Sequence, residues 1–97
     1  MADFVLSERA RKDLREIGDY TAEKWSEQQA ERYIRMLIAE CRELPRHALA
    51  GRSYSQWRPG LRGYSCGKHV IFYRVISQNK VRIVRILHEK MDFPRHL

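Results

Sequence analysis

The sequence predicts an α+β domain with the element order β-α-α-β-β-β, in which an antiparallel sheet packs on an N-terminal helical hairpin. In the first half of the chain, apolar residues recur at three- and four-residue steps, the period of a helix buried on one face. The last third holds two long apolar segments, 69–76 and 81–88, separated by a short polar one. Because 97 residues suffice for one modest core, we expect a single domain over 1–97.

Two capping signals predict the helical hairpin. Ser7 is a good N-cap for a helix over about 8–24. Ser26 and Gln29 form an S-x-x-Q capping box that begins a second helix, which Pro45 ends. Because only a tight corner separates the two helices, they must lie side by side, and their apolar faces need a common floor.

The sheet is predicted from four short segments and their turns. Residues 46–60 contain Gly, Ser and Pro without a sustained period, so we expect a loop there. Gln78-Asn79 is typical of a two-residue hairpin turn, and the tail 93–97 is expected to be loosely held. One helical hairpin covers only one sheet face, so the loop, the tail or another protein must cover the second face. The predicted strands are Asp3–Leu6, Leu61–Cys66, His69–Ser77 and Lys80–His88.

Positive charge is concentrated in the strand-bearing half. The chain has a net charge of +7, and residues 46–97 hold 11 Lys and Arg against 2 Asp and Glu. Arg74 and Arg85 lie within apolar strands, and the expected register puts Arg74 opposite Ile83 and Arg85 opposite Phe72, on one face. A buried guanidinium is costly unless it is paired, so each arginine is either neutralised within the chain or presented to an anionic partner. Because both lie on one face, we expect them to face a partner.

Several classes of function are disfavoured by what the sequence lacks. Cys41 and Cys66 make neither a zinc set nor a CxxC redox pair, and the histidines lack ligand spacing, so we expect no metal and no cofactor. No segment has the apolar length of a membrane span or the pattern of a secretion signal. We therefore expect a cytoplasmic protein without membrane contact.

A series of short motifs runs along nearly the whole chain. It comprises Leu14-x-x-Ile17-x-x-Tyr20-Thr21, Trp25, Gln29-Ala30, Tyr33, Gly51-Arg52, Pro59-Gly60-Leu61-Arg62, His69-Val70-Ile71-Phe72-Tyr73-Arg74 and Ile83-Val84-Arg85-Ile86-Leu87-His88-Glu89-Lys90-Met91-Asp92. In these motifs the sequence resembles the ParE toxins of the RelE/ParE superfamily. That resemblance implies the same β-α-α-β-β-β fold and a toxin that inhibits DNA gyrase and so halts replication. It also implies a ParD-like antitoxin, in a hetero-oligomeric complex that binds operator DNA through the antitoxin.

The superfamily also contains ribosome-dependent messenger-RNA endonucleases, so an enzyme remains an alternative, as does a generic nucleic-acid-binding module. RNA cleavage needs a general base and a general acid, which a histidine can supply. RelE-like nucleases place a basic residue where this chain has Val70 and a catalytic Tyr or His-Tyr pair near the C-terminus, and this chain departs from both features. We therefore expect no catalytic residues, and expect His69 and His88 to stack or cap at the ends of the paired strands. The residues expected to face the target are Arg62, Arg74, Arg85, His88, Lys90, Met91 and Asp92.

Overall fold

The α+β prediction is confirmed by a computed structural model, which describes residues 3–97. The strands are β1 (Asp3–Leu6), β2 (Arg52–Ser53), β3 (Arg62–Cys66), β4 (His69–Ser77) and β5 (Lys80–His88); the helices are α1 (Glu8–Lys24), α2 (Glu27–Glu43) and α3 (Phe93–His96). A helical hairpin packs on one face of the five-stranded sheet, whose strand order is β1-β5-β4-β3-β2. No helix in residues 3–97 is both long enough and apolar enough to span a membrane.

Both helices of the hairpin begin at the caps that the sequence predicts. The Ser7 hydroxyl accepts a hydrogen bond from the backbone N–H of Ala10 at 2.9 Å, and the Ser26 hydroxyl accepts one from Gln29 at 3.0 Å. Each bond satisfies one of the free N–H groups in a first helical turn. After α2 the chain continues through a 3₁₀ turn, Leu44–His47, which tolerates Pro45 near its start.

The sheet is mixed, so the prediction of an antiparallel sheet is wrong for one strand. The meander β3-β4-β5 is antiparallel, but β1 pairs with β5 in parallel, from Asp3 opposite Lys80 to Leu6 opposite Ile83. A parallel neighbour needs a long crossover connection, and the helical hairpin with the meander supplies it. The short strand β2 lies in the predicted loop and pairs with the start of β3.

The β4-β5 hairpin has the predicted turn but not the full predicted register. Ser77 pairs with Lys80 around the Gln78-Asn79 turn, and the pairs from Phe72 to His69 agree with expectation. Two irregularities, between Phe72 and Tyr73 and between Val75 and Ser77, shift the middle of the ladder. As a result Arg74 lies opposite Arg82 and not opposite Ile83.

This chain itself buries an apolar cluster on each face of the sheet. The hairpin face buries a core that includes Leu37, Tyr73 and Ile83. The opposite face buries Tyr54, Leu61, Val70, Phe72 and Leu87 beneath the 46–60 loop and the C-terminal segment.

The C-terminal tail, expected to be loose, is an ordered part of this second core. The Phe93 ring packs edge-on against Phe72, with ring centroids 5.0 Å apart, and Leu97 adds to the same cluster. Burial of these apolar side chains compensates for the entropy of ordering the tail.

The hairpin turn gives a test of the register. Asn79 has φ 62, a conformation that costs a β-branched residue about 1–2 kcal/mol. We expect Asn79→Val to lower the free energy of unfolding by about that amount and Asn79→Gly to leave it unchanged or raised. Gln78→Val is the matched control, because Gln78 has a negative φ. Urea denaturation measures all three; equal losses at positions 78 and 79 would contradict the observed turn.

Candidate functional site

Arg85 is buried and paired, so the expectation that it faces a target is wrong. Its side chain is 10% exposed, and its Nε and Nη2 atoms donate to the two carboxylate oxygens of Asp13 on α1 at 2.8 and 2.9 Å. The hydrogen bonds that Arg85 donates to Asp13 raise the pKa of the guanidinium further, which keeps it charged. The ion pair is internal, and Arg85 is therefore removed from the set of target-facing residues.

The same ion pair joins three parts of the fold. Asp13 Oδ2 also accepts the backbone N–H of Ile86 at 2.9 Å, beyond the point where β1 stops pairing with β5. Arg85 Nη1 donates to the carbonyl oxygen of His96 at 2.6 Å. The pair thereby connects α1, the edge of β5 and the C-terminal segment.

The two other predicted arginines have different environments. Arg74 is exposed and lies opposite Arg82, also exposed, so it remains available to a partner. Arg62 is half-buried, and its Nη1 donates to the carbonyl oxygens of Gly51 at 2.8 Å and Leu49 at 3.3 Å. Arg62 therefore uses some of its hydrogen-bond donors to hold the 46–60 loop in place.

An open groove of about 720 Å³ lies between the helical hairpin and one end of the sheet. One wall is the second half of α1 with the corner that follows it, and the other is the start of β4, the end of β5 and the segment after β5. Its lining is mainly apolar, and two of its aromatic side chains, Tyr20 and Trp25, are 61% and 64% exposed. An exposed apolar patch of this kind marks a binding surface more often than it marks a packing defect.

The groove has a basic rim and holds three of the predicted residues. Lys24 and Lys68 lie along it, with Glu16 as the acidic member. His88, Lys90 and Met91 line the same groove, and Met91 is 45% exposed.

The predicted target-facing residues thus form two separate groups. Asp92, also exposed, follows the groove residues and precedes α3. Arg74 lies toward the other end of β4, and the strand from His69 to Val75 is about 20 Å long.

Five further groove residues were not predicted from the sequence: Tyr20, Lys24, Trp25, Tyr33 and Lys68. At helical spacing, Tyr33 reads as an ordinary core residue, and nothing local relates α1 to the end of β5. Two large aromatic residues near a helix end were the one available signal.

A tyrosine–histidine cluster forms the floor of the groove. The Tyr33 hydroxyl lies 2.6 Å from His69 Nδ1 and accepts the backbone N–H of Lys68 at 2.9 Å. His69 and His88 stack edge to face with centroids 5.2 Å apart, as expected for paired strand ends. The backbone N–H of Lys90 donates to His88 Nδ1 at 3.1 Å.

Burial keeps both groups of this contact neutral at pH 7. With a smaller contribution from His88, it lowers the pKa of His69 to about 4. Burial also raises the pKa of the Tyr33 phenol, so the phenol keeps its proton. A histidine with so low a pKa is a weak base for removing a proton from a substrate hydroxyl. Among residues 3–97, no group of three or more His, Cys, Asp or Glu side chains is arranged to hold a metal.

Comparison with known proteins identifies close relatives along the whole chain. A family model described as the ParE toxin of the type II toxin-antitoxin system parDE matches residues 4–93. Toxin ParE1 of Mycobacterium tuberculosis is 38% identical over 94 residues, covering 97% of this chain and 96% of the relative. Toxin ParE1 of Caulobacter vibrioides is 37% identical over 97 residues, covering 100% and 99%. Toxin ParE of Escherichia coli is 32% identical over 97 residues, covering 100% and 94%.

The same fold occurs in a solved structure. A chain of the solved chromosomal ParDE system of P. aeruginosa superposes with a TM-score of 0.77, covering 91% of this chain and 96% of that chain at 20% identity. The family match is more specific than this similarity of fold. The chain belongs to the ParE toxins of type II toxin–antitoxin systems.

The buried ion pair gives a stability prediction. Asp13→Asn leaves a buried guanidinium without its carboxylate, and we expect the free energy of unfolding to fall by about 3 kcal/mol or more. Glu31→Gln, which breaks the exposed Glu31–Arg35 pair, is the control and should cost less than about 0.5 kcal/mol. Chemical denaturation measures both variants. Similar small losses in the two would mean that the Asp13 pair does not support the fold.

The histidine floor gives a pH prediction. Because the pKa of His69 is lower in the folded protein than its ordinary 6.5, the unfolded chain binds the extra proton first. The buried neutral ring of His69 therefore favours the folded state fully above pH 6.5, and this stabilisation is lost as the pH falls from 6.5 toward 4. In an NMR titration, we expect the His69 ring signals to move well below pH 6.5, and in denaturation experiments we expect His69→Gln to flatten the fall in stability. A His69 midpoint near 6.5 would contradict the buried position.

Proposed function

We propose that this chain is a toxin that inhibits DNA gyrase by binding it, and so blocks replication, until a ParD-like antitoxin neutralises it. The observation that carries the proposal is the match to ParE toxins over residues 4–93, with named toxins aligned along the full chain. We expect the chain to act in the cytoplasm, where it would meet both DNA gyrase and its own antitoxin.

Binding rather than catalysis is supported by the chemistry of the groove. Its single tyrosine–histidine pair is internally hydrogen-bonded, and its lining is mainly apolar, unlike a site that must stabilise a charged phosphorane. The cations of the groove are lysines at its rim. His69, whose pKa is lowered to about 4, would be a weak general base for the ribonuclease alternative.

The antitoxin is proposed to occupy the groove. An apolar channel with lysines at its rim suits an amphipathic segment that carries acidic residues, and the net charge of +7 favours rapid association with such a partner. The resulting complex would be hetero-oligomeric and would bind operator DNA through the antitoxin.

Neutralisation then follows from shared residues. His88, Lys90 and Met91 are proposed to contact the target together with Arg74 and Asp92, yet the first three also line the groove. An antitoxin segment lying in the groove would cover them. The two partners would compete for the C-terminal segment.

Assays of gyrase supercoiling, messenger-RNA cleavage and duplex binding separate this function from its alternatives. We expect the purified chain to inhibit supercoiling by purified gyrase and to leave messenger RNA on translating ribosomes uncut. Added antitoxin should restore supercoiling. Codon-dependent cuts without any effect on gyrase would establish the ribonuclease instead, and salt-sensitive duplex binding without growth arrest would favour the nucleic-acid-binding module.

The groove residues can be tested directly. The double variant Lys90→Glu/Met91→Ser removes a rim cation and an exposed apolar contact, so we expect it to weaken both antitoxin binding and gyrase inhibition by roughly tenfold. The control is Arg42→Glu, which makes the same reversal of charge at an exposed position on α2 and should have little effect. Titration calorimetry and the supercoiling assay give the two readouts. Unchanged values in the double variant would exclude the C-terminal segment from both interfaces.

A further inference from the structure

The end of β4 has a backbone edge that no other strand covers. β3 pairs with β4 only from His69 to Tyr73, and β1 lies on the far side of β5. Over the described residues, the stretch 74–77 therefore has a strand on one side only. All four of its residues are exposed, including the apolar Val75 at 47% and Ile76 at 45%.

This edge has unneutralised positive charge. Arg74 and Arg82 are direct cross-strand neighbours, and like charges in that position destabilise a sheet. The acidic residue nearest in register is Asp3 on β1. It lies opposite Lys80 of β5 and not opposite either arginine. The fold tolerates a repulsion here that an anionic partner would remove.

We propose that 74–77 is a docking edge, to which an extended acidic segment of the toxin's target adds as a further β-strand. The backbone groups of the edge supply hydrogen bonds, β-branched Val75 and Ile76 supply apolar contact, and Arg74 with Arg82 selects for acidic side chains. The named occupant rests on the proposed function, in which that target is DNA gyrase.

The position of the edge favours the target over the antitoxin as its occupant. The groove lies at the opposite end of β4 and β5, separated from the edge by about 20 Å of strand. The groove is chiefly apolar, whereas the edge is cationic and rich in unpaired backbone groups. A segment held in the groove leaves the edge open, so the two surfaces suit different partners.

Arg74→Glu tests the charge requirement without endangering the fold. The change places opposite charges at the Arg74–Arg82 position, so thermal stability should hold or rise. We expect roughly a tenfold higher concentration of the variant for half-maximal gyrase inhibition, with antitoxin affinity unchanged. The matched control is Arg58→Glu, which makes the same reversal of charge at an exposed position in the 46–60 loop and should behave as wild type.

Hydrogen exchange tests the strand pairing itself. Amides in the peptide covering 74–77 should exchange more slowly in the complex with gyrase and at the free-toxin rate in the complex with antitoxin. Protection only with antitoxin would overturn the choice of occupant, and loss of inhibition without protection would overturn strand addition. If the Arg74→Glu variant inhibits gyrase as strongly as the wild type, the docking edge is wrong and the proposed function still stands. Failure of the wild type to inhibit or bind gyrase would overturn both.

Discussion

The Asp13–Arg85 ion pair joins α1 and the C-terminal segment to β5. It is the buried charged pair of residues 3–97, and each of its groups makes a further bond, to Ile86 N–H and to the His96 carbonyl. Removing two charges from water is costly, and the bidentate geometry with these extra bonds compensates for that cost. The helix that covers one sheet face and the segment that covers the other are thereby fastened to the same strand.

That connection accounts for the position of the groove. α1 supplies one wall and the segment after β5 part of the other, and both are attached to β5 through the ion pair. Fixed walls allow an apolar channel to stay open to solvent without collapsing. The exposed aromatic residues Tyr20 and Trp25 are then available to a partner instead of being drawn into the core.

The division of exposed residues into two surfaces has a simple structural origin. β4 and β5 run the length of the sheet, so their paired ends lie far apart, with the histidines at one end and the arginine pair at the other. Residues that look like one basic group along the sequence are separated in space by that length. The two surfaces also differ in chemistry, because the groove is mainly apolar whereas the 74–77 edge is cationic.

How far the sequence determines this protein depends on the range of each interaction. Ser7 and Ser26 cap helices through bonds three residues away, and the Gln78-Asn79 turn joins neighbouring strands, so local pattern was sufficient to predict both helices, the meander and its turn. The resemblance to ParE toxins likewise depended on residues read directly from the chain. Tertiary structure alone decided that Arg85 turns inward, because its partner Asp13 lies 72 residues away and the apolar strand around Arg85 looks the same in either case. The parallel placement of β1, the ordered tail and the groove were also decided there, because each depends on contacts between distant segments that no local period records.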